Sequence, residues 1–224
     1  MIKRYRILII LSFLHFAGYG QKVGLVMSGG GASGMAHIGV LMALEENGIP
    51  IDYITGTSAG ALVGSLYAIG YTPSQIMEMA SSPEYFSIAN GEIDEKYTFF
   101  FKQSQKNAGI VNFSFDKKFN LTSTIPLNFT DPALIDFFML EQFSQASQQA
   151  NYNFDSLLIP FRCVASDIDA NEEMVFKEGN LSQAVRASMT FPFYNPPRRI
   201  EDKILVDGEH DNNFPADDMY EDFL

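Results

Sequence analysis

The sequence has 224 residues, of which 46% are hydrophobic and 19% charged, and it contains no low-complexity tract. A chain of this length and composition suits one globular domain with a sizeable core and excludes the disordered and fibrous classes. The net charge of −12 argues against binding to nucleic acid and against attraction to anionic lipid by charge alone. The single cysteine, Cys163, excludes an internal disulfide, and its apolar neighbours predict a buried thiol.

The first 20 residues predict a cleaved secretory signal peptide. A basic start is followed by an apolar run over residues 7–17 and by small residues at Gly18 and Gly20. The run is too short to span a bilayer comfortably, which disfavours a membrane anchor. We therefore expect an exported protein, located in the periplasm, the outer membrane or the extracellular space, with one domain over residues 21–224. Without the three basic residues of the signal, that domain carries a net charge of −15.

The first half of the domain predicts alternating strands and helices. Thr72 and Pro73 have the residue types of an N-cap and a first helical position, so a helix is expected to follow them. Upstream, apolar spacing indicates strands at residues 23–28 and 51–55 and helices at residues 36–47 and 59–69. Such alternation is the signature of an α/β layer fold.

The second half of the domain is less regular. Asp131-Pro132 predicts the start of a helix that reaches about residue 150, with an apolar side made of Leu134, Phe137, Phe138, Leu140 and Phe143. Two phenylalanine-rich strands are predicted before it, at residues 97–101 and 110–115. After it the pattern predicts strands at residues 157–165, 173–176 and 204–206 and a helix at residues 181–189.

A candidate nucleophile, Ser58, lies in the segment Gly56-Thr57-Ser58-Ala59-Gly60. This motif alone is weak evidence, because a serine that caps a helix of small residues would have the same letters. Its position between a predicted strand and a predicted helix is what a nucleophile elbow requires. Gly56 and Gly60 would leave room for the sharp turn, and the helix N-terminus would favour negative charge near Ser58.

A glycine-rich loop, Ser28-Gly29-Gly30-Gly31-Ala32-Ser33-Gly34, also lies between a strand and a helix. Its unshielded amides could bind the phosphates of a dinucleotide or the oxyanion of an acyl-transfer reaction. A dinucleotide site needs an acid at the end of the second strand, whereas Asp52 lies at its start. Because both strand–helix turns open on one edge of a parallel sheet, the oxyanion interpretation is favoured.

The candidate base is a carboxylate, because no histidine is suitably placed. His15 belongs to the predicted signal, His37 lies in a first helical turn, and His210 lies in a polar loop. None follows the serine and an acid in the order expected of a triad. Asp207 ends an apolar strand and precedes Gly208, although an Asp-Gly pair alone is more often an ordinary turn.

Taken together, the glycine loop, the serine elbow and Asp207-Gly208-Glu209 resemble, in this order, the motifs of the patatin-like phospholipases. Residues 36–41, 186–192 and 212–215 are also similar to that family. The resemblance implies a three-layer α/β/α fold with a mainly parallel central sheet and a Ser58–Asp207 dyad without metal or cofactor. It further implies an oxyanion loop made of Gly29, Gly30, Gly31 and Ala32. The remaining glycines of the three motifs are Gly34, Gly56, Gly60 and Gly208.

The resemblance also predicts where the domain ends, and the sequence departs from the family pattern at two positions. Secreted bacterial relatives often carry this domain ahead of an outer-membrane barrel, and most continue past the aspartate, so we expect the domain to end beyond residue 224. Ser33 stands where the family usually has Lys or Arg, and Glu209 where it has Gly or Ala. If Glu209 lies close to Asp207, mutual repulsion should raise the pKa of one carboxylate.

The resemblance implies a lipid acyl hydrolase of the phospholipase A or lysophospholipase type, whose substrate is a lipid or phospholipid. The phenylalanine-rich residues 97–115 could line an acyl pocket or meet a membrane surface, although core packing is the commoner fate of such residues. A carboxylesterase or thioesterase for small esters would use the same dyad. An inactive, membrane-associated binding or assembly module is the third alternative. The sequence predicts no nucleic-acid partner and leaves the oligomeric state open.

Overall fold

The computed structural model of the protein describes residues 21–93 and 129–223. The strands are β1 Gly24–Met27, β2 Tyr53–Thr57, β3 Phe161–Asp167, β4 Glu172–Phe176, β5 Arg198–Ile200 and β6 Lys203–Asp207. The α-helices are α1 Ala36–Glu46, α2 Ala59–Ala68, α3 Pro73–Ala80, α4 Pro83–Asn90, α5 Ala133–Gln149, α6 Leu181–Ser188 and α7 Ala216–Phe223. Short 3₁₀ helices cover Gly31–Met35, Phe154–Ser156 and Gly208–His210. The predicted signal peptide and the predicted strands at residues 97–101 and 110–115 lie outside the described residues.

The strands form one mixed sheet in the order β1-β2-β3-β6-β5, with β4 paired to β3 off this path. β1, β2 and β3 pair in parallel, whereas β4 and β6 run antiparallel to β3, and β5 runs antiparallel to β6. Four of the six strands therefore point in one direction. The predicted α/β class with a mainly parallel central sheet is confirmed.

Strand β3 brings the ends of two other strands together. Cys163 pairs with both β2 and β4, and Ala165 pairs with both β4 and β6. Since β4 occupies one edge of β3, β2 and β6 must share the other edge. Thr57, the last residue of β2, pairs with Val164, and Asp207, the last residue of β6, pairs with Ala165. The two strands thus run toward each other along this edge and meet end to end at the middle of β3.

Helices cover both faces of the sheet. Ile54 of β2 faces α2, where a Cβ on Gly64 would lie only 2.8 Å from the Ile54 side chain. The neighbouring Tyr53 faces the other way and stacks on Phe223 of α7, with ring centroids 4.5 Å apart. Met219 of α7 is also buried. Successive side chains of a strand point to opposite faces, so this alternation produces the three-layer arrangement.

The core lies mainly between the sheet and helices α1, α2 and α6. Apolar side chains from both halves of the sequence contribute fully buried surface, among them Ile38, Leu41, Ile54, Leu66, Phe161, Val185 and Leu205. Each such side chain contributes about 1.5–3 kcal/mol relative to an exposed position. Cys163 is fully buried on β3, as predicted, and burial raises the pKa of its thiol well above the ordinary value.

The start of helix α3 confirms the predicted cap. The Thr72 hydroxyl accepts a hydrogen bond from the amide of Gln75, and the Gln75 side chain accepts one from the amide of Thr72. This reciprocal pair is a capping box. Helix α4 begins in a similar way, with Ser82 as its cap and Pro83 at its first position, although the sequence analysis did not predict it.

Helix α5 buries a face that matches the predicted one only in part, through Phe138 and Phe143. Ile135, Phe138, Met139 and Phe143 are buried, whereas Phe137 is 67% exposed and Leu140 is 49% exposed. The N-terminal half of this helix is apolar nearly all round, so its sequence does not select one face. Packing against α4 and α6 makes the selection, for example through the edge-on contact of Phe138 with Tyr85.

Several predicted boundaries also need correction. β2 lies two residues later than predicted and reaches the elbow, and β3 begins only at Phe161, after Pro160. β5 and α7 were not predicted, because one is a three-residue strand with two arginines and the other is rich in acids. None of the helices within residues 21–93 and 129–223 is long and apolar enough to cross a membrane.

Candidate active site

Ser58 occupies a sharp turn between β2 and α2. Its backbone angles, φ 51° and ψ −118°, lie in a region that side-chain-bearing residues rarely adopt. The glycines on either side permit the turn. A Cβ on Gly56 would lie 2.6 Å from the backbone of Gly60, and a Cβ on Gly60 would lie 2.4 Å from the carbonyl oxygen of Met27. The turn therefore has the geometry predicted for a nucleophile elbow.

The Ser58 hydroxyl donates a hydrogen bond of 2.7 Å to Oδ2 of Asp207. Both residues are buried, with 7% and 2% of their surfaces exposed. The meeting follows from the sheet, because β2 ends at Thr57 and β6 ends at Asp207 on the same edge of β3. Gly208 allows the close approach, since a Cβ there would lie 2.3 Å from the carbonyl oxygen of Val164.

The Asp207 carboxylate is buried beside few polar groups. Its Oδ1 accepts a hydrogen bond of 2.9 Å from the amide of Glu209, and its own amide donates to the carbonyl of Thr190 at 2.8 Å. Among the described residues, no cationic side chain forms an ion pair with it. The pKa of Asp207 is raised to about 6: burial is the main cause, the hydrogen bonds from the Glu209 amide and the Ser58 hydroxyl oppose it, and the charge of Glu209 adds a smaller increase. The repulsion expected from Glu209 is therefore present.

The glycine loop runs along one side of Ser58. A Cβ on Gly29 would lie 3.2 Å from Ser58 Cβ, and a Cβ on Gly34 would lie 2.3 Å from Ala59 Cβ, so both positions require close approach. The loop is fixed by hydrogen bonds from the Gly29 amide to the Asn213 carbonyl and from the Ser33 amide to the Gly30 carbonyl. These contacts place the loop against the elbow, as the oxyanion interpretation requires.

Three amides of this loop are available for an anion; the amide of Gly29, the fourth predicted donor, is not, because it donates to the Asn213 carbonyl. Within the described ranges, no protein group accepts a hydrogen bond from the amides of Gly30, Gly31 or Ala32. Gly31 starts a 3₁₀ helix with φ 52°, so these amides belong to the beginning of a helical turn. The same three residues and Ser58 line one cavity. Such amides can stabilise a negatively charged oxygen that forms beside the serine.

A cavity of about 740 Å³ opens beside Ser58 and Asp207. Its wall is predominantly apolar. Helix α2 forms one side, through Leu62 and Leu66, which lie one and two helical turns after Ser58. The apolar lining includes Leu62, Val63, Leu66, Ile76, Met79, Ile135, Phe138 and Met189. A hydrophobic cavity that ends at a polar reactive group suits a molecule with a long apolar part and one ester.

The family profile described as patatin-like phospholipase matches residues 25–220. The chain belongs to the patatin-like phospholipase family. This agrees with the resemblance identified from the three motifs.

Individual relatives of this patatin-like domain are larger proteins. Patatin-like phospholipase domain-containing protein 6 from Homo sapiens is 33% identical over 88% of this chain, which is 12% of that protein. Lysophospholipase NTE1 from Cryptococcus neoformans is 31% identical over 90% of this chain and 10% of its own length. The structure of VipD from Legionella pneumophila is similar with a TM-score of 0.51 at 16% identity, covering 85% of this chain and 46% of VipD, which supports the fold alone. The chain thus spans a small part of its curated relatives.

Ser188 is a site residue that the sequence analysis of the patatin-like domain did not single out. Its hydroxyl accepts a hydrogen bond of 2.9 Å from the amide of Ser58 and donates one of 2.5 Å to the carbonyl of Val164. It therefore ties the elbow to β3. The segment 186–192 carried the signal, since it was recognised as similar to the family without a role for its individual residues.

The histidines of the patatin-like domain lie away from the Ser58–Asp207 pair. The ring of His37 is hydrogen-bonded to the carbonyl of Ser28 at 2.9 Å, which connects helix α1 to the start of the glycine loop. His210 is exposed and pairs with Asp211 at 3.0 Å. Within the ranges that the structure describes, no group of His, Cys, Asp and Glu is arranged to hold a metal ion.

Proposed function

We propose that this patatin-like domain hydrolyses carboxylic esters of lipids through Ser58 and Asp207. One observation carries the proposal. The Ser58 hydroxyl lies 2.7 Å from a buried carboxylate, on a strained elbow at the end of an apolar cavity. The family membership and the presence of lysophospholipases among the relatives support a lipid substrate.

In the proposed reaction, Ser58 Oγ attacks the carbonyl carbon of the ester while its proton passes to Asp207. The amides of Gly30, Gly31 and Ala32 stabilise the oxygen that becomes negative. The carbon–oxygen bond to the alcohol then breaks, and Asp207 returns its proton to the departing alcohol oxygen. Water attacks the acyl group on Ser58 with the same help from Asp207, which releases the fatty acid and restores the serine.

The cavity supports a long acyl chain as part of the substrate. Its apolar wall begins at Ser58 and continues along helix α2 through Leu62 and Leu66. Because helical residues rise by about 1.5 Å each, this stripe extends roughly 12 Å beyond the serine. Burial of the acyl chain along it would supply binding energy and would align the ester with the elbow.

Labelling with a fluorophosphonate probe, followed by mapping of the modified residue, tests the nucleophile and the base together. We expect modification at Ser58, loss of labelling in Ser58→Ala, and strongly slowed labelling in Asp207→Asn. Asp202→Asn is the matched control, because Asp202 is an exposed acid in the β5–β6 turn. Labelling at another residue would overturn the mechanism.

The substrate is tested by comparing dispersed long-chain lipids with short, soluble esters. We expect the ratio of kcat/KM values to favour the long acyl chain. Hydrolysis of short esters alone would support a small-ester esterase instead. Equal rates for the parent protein and Ser58→Ala with every ester would support an inactive binding module.

We also propose that residues 1–20 direct export and are removed. The basic start, the apolar run and the small residues before Gln21 support this. Expression of the full chain in a Gram-negative bacterium, followed by fractionation and mass determination, should yield a protein outside the cytoplasm that begins at Gln21. Retention of Met1 in the cytoplasmic fraction would contradict the proposal.

A further inference from the structure

Glu209 places a carboxylate at the mouth of the active-site cavity. Its amide holds Asp207, and its side chain is exposed and lines the cavity. A Cβ on Gly29 would lie 3.6 Å from Glu209 Oε2 and 3.2 Å from Ser58 Cβ, so these two atoms are no more than 6.8 Å apart, the two distances added. The carboxylate therefore lies next to the position where an ester bond would be cleaved.

The cavity offers no compensating positive charge among the residues that the structure describes. Its ionisable lining there consists of two tyrosines and three acids, namely Asp131, Asp207 and Glu209, without Lys, Arg or His. The nearest described basic group along the chain, His210, is paired with Asp211. An anionic group that enters beside Glu209 would meet repulsion without an ion-pair partner in this part of the chain.

The proposed mechanism determines how the ester is oriented and therefore which part of the substrate lies near Glu209. The acyl chain requires the apolar wall of α2, whereas the departing alcohol must receive a proton from Asp207. Because Glu209 follows Asp207 by two residues in the same 3₁₀ turn, the alcohol part of the ester lies beside its carboxylate. The charge of the alcohol part is therefore the property that Glu209 can distinguish.

We propose that Glu209 is a specificity-determining residue that selects acyl esters with an uncharged alcohol part, such as monoacylglycerols, over esters whose alcohol part carries a phosphate. This inference rests on the proposed function, because it assigns the alcohol side of the same cleavage site. The repulsion between the Glu209 carboxylate and a substrate phosphate acts at the partly hydrated mouth of the cavity, so its effect on the rate is modest. A single charge there changes a rate by about three- to tenfold.

The test uses two soluble substrates with one acyl chain, 1-octanoylglycerol and 1-octanoylglycerol 3-phosphate. We expect the parent protein to prefer the uncharged ester in kcat/KM. Glu209→Gln and Glu209→Ala should each reduce this preference about fivefold, whereas Glu209→Asp should retain most of it. Asp202→Asn, which removes an exposed charge that does not line the cavity, should leave the preference unchanged. Added salt should narrow the preference of the parent and affect Glu209→Gln less.

Two results would overturn the inference while leaving the proposed function intact. One is Ser58-dependent hydrolysis with a preference for the phosphate ester, and the other is an unchanged preference in both Glu209→Gln and Glu209→Ala. If Ser58→Ala hydrolyses the two esters at the parent's rates, both the proposed function and the inference fail.

Discussion

Two acidic regions near the cavity differ in how their charge is compensated. Asp207 accepts hydrogen bonds from the Ser58 hydroxyl and the Glu209 amide but forms no ion pair with a described residue. Asp136 on helix α5 receives Nε of Arg186 at 2.7 Å on one oxygen and a guanidinium nitrogen of Arg198 at 2.8 Å on the other. Arg186 is among the most deeply buried side chains.

The difference separates a carboxylate that can exchange a proton from one that holds structure. Two arginines compensate the charge of Asp136. Because Asp136 lies on α5, Arg186 on α6 and Arg198 on β5, these ion pairs connect the three elements. Asp207 is buried without such a partner, so its pKa is raised toward neutrality, to about 6. The regions are linked, because Arg186 donates to the Thr190 hydroxyl and the Thr190 carbonyl accepts the amide of Asp207.

Asp207→Asn should give the largest change, because it removes the proposed base without changing its shape. We expect kcat/KM to fall by at least about 10³-fold. Stability should change in the opposite direction. An acid whose folded pKa lies above its unfolded value of 3.8 destabilises the fold once ionised, so the variant should gain up to about 3 kcal/mol at pH 8.

The gain from Asp207→Asn should fall to a small part of its full size at pH 4 and vanish well below pH 3.8, where the carboxylate is protonated in both states. Urea unfolding at pH 4 and pH 8 measures it, and Asp202→Asn should show no such pH dependence. A variant that keeps normal activity, or that loses stability at pH 8, would contradict the contrast between the two regions.

Arg186→Met should give the largest loss of stability, because it removes one of the two arginines that compensate the partly buried Asp136 and a buried donor to Thr190 and Asn195. We expect the free energy of unfolding to fall by about 3–5 kcal/mol. Arg199→Met is the matched control, since Arg199 is exposed one residue after Arg198. Equal unfolding midpoints for the two variants would show that the Asp136 region does not hold structure.

The parts of the site that sequence reasoning predicted are local in the chain. The elbow at Ser58 follows from glycines that flank the serine between a strand and a helix. The glycine loop follows from the same reasoning one strand earlier, since β1 and β2 are parallel neighbours. Asp207 was selected because the histidines were unsuitable and because its motif resembled the family.

The parts that were missed depend on contacts between distant segments. β6 reaches Ser58 by running antiparallel to β3, which no local pattern encodes. Asp136 and Arg186 are 50 residues apart in sequence, and their pairing accompanies the packing of α5 on α6. The wrong assignment of Phe137 and Leu140 on α5 has the same origin, since the apolar residues of this helix lie on several sides and only its neighbours decide between them.

Ser188→Ala should reduce activity less than loss of the base, because Ser188 positions the nucleophile without touching substrate. Its hydroxyl satisfies the Ser58 amide in the strained turn. We expect kcat to fall by roughly tenfold, equivalent to about 1.4 kcal/mol, with little change in KM. Ser65→Ala is the control, because among the described residues the hydroxyl of this buried serine of α2 bonds only to the Leu62 carbonyl of its own helix. A change in KM alone would contradict a positioning role.

The pH profile should show the smallest effect and separates the two regions most directly. Asp207 accepts a proton only when ionised, so kcat/KM should rise with pH and reach half its plateau near the pKa of Asp207, about 6. Because the Glu209 charge raises that pKa, Glu209→Gln should shift the acid limb to lower pH by a few tenths of a unit. Arg198→Met alters the compensation of Asp136 instead, so it should leave the midpoint in place even where it lowers stability. A midpoint that moves with Arg198→Met but not with Glu209→Gln would mean that the arginine region, rather than the glutamate beside the base, sets the proton affinity of Asp207.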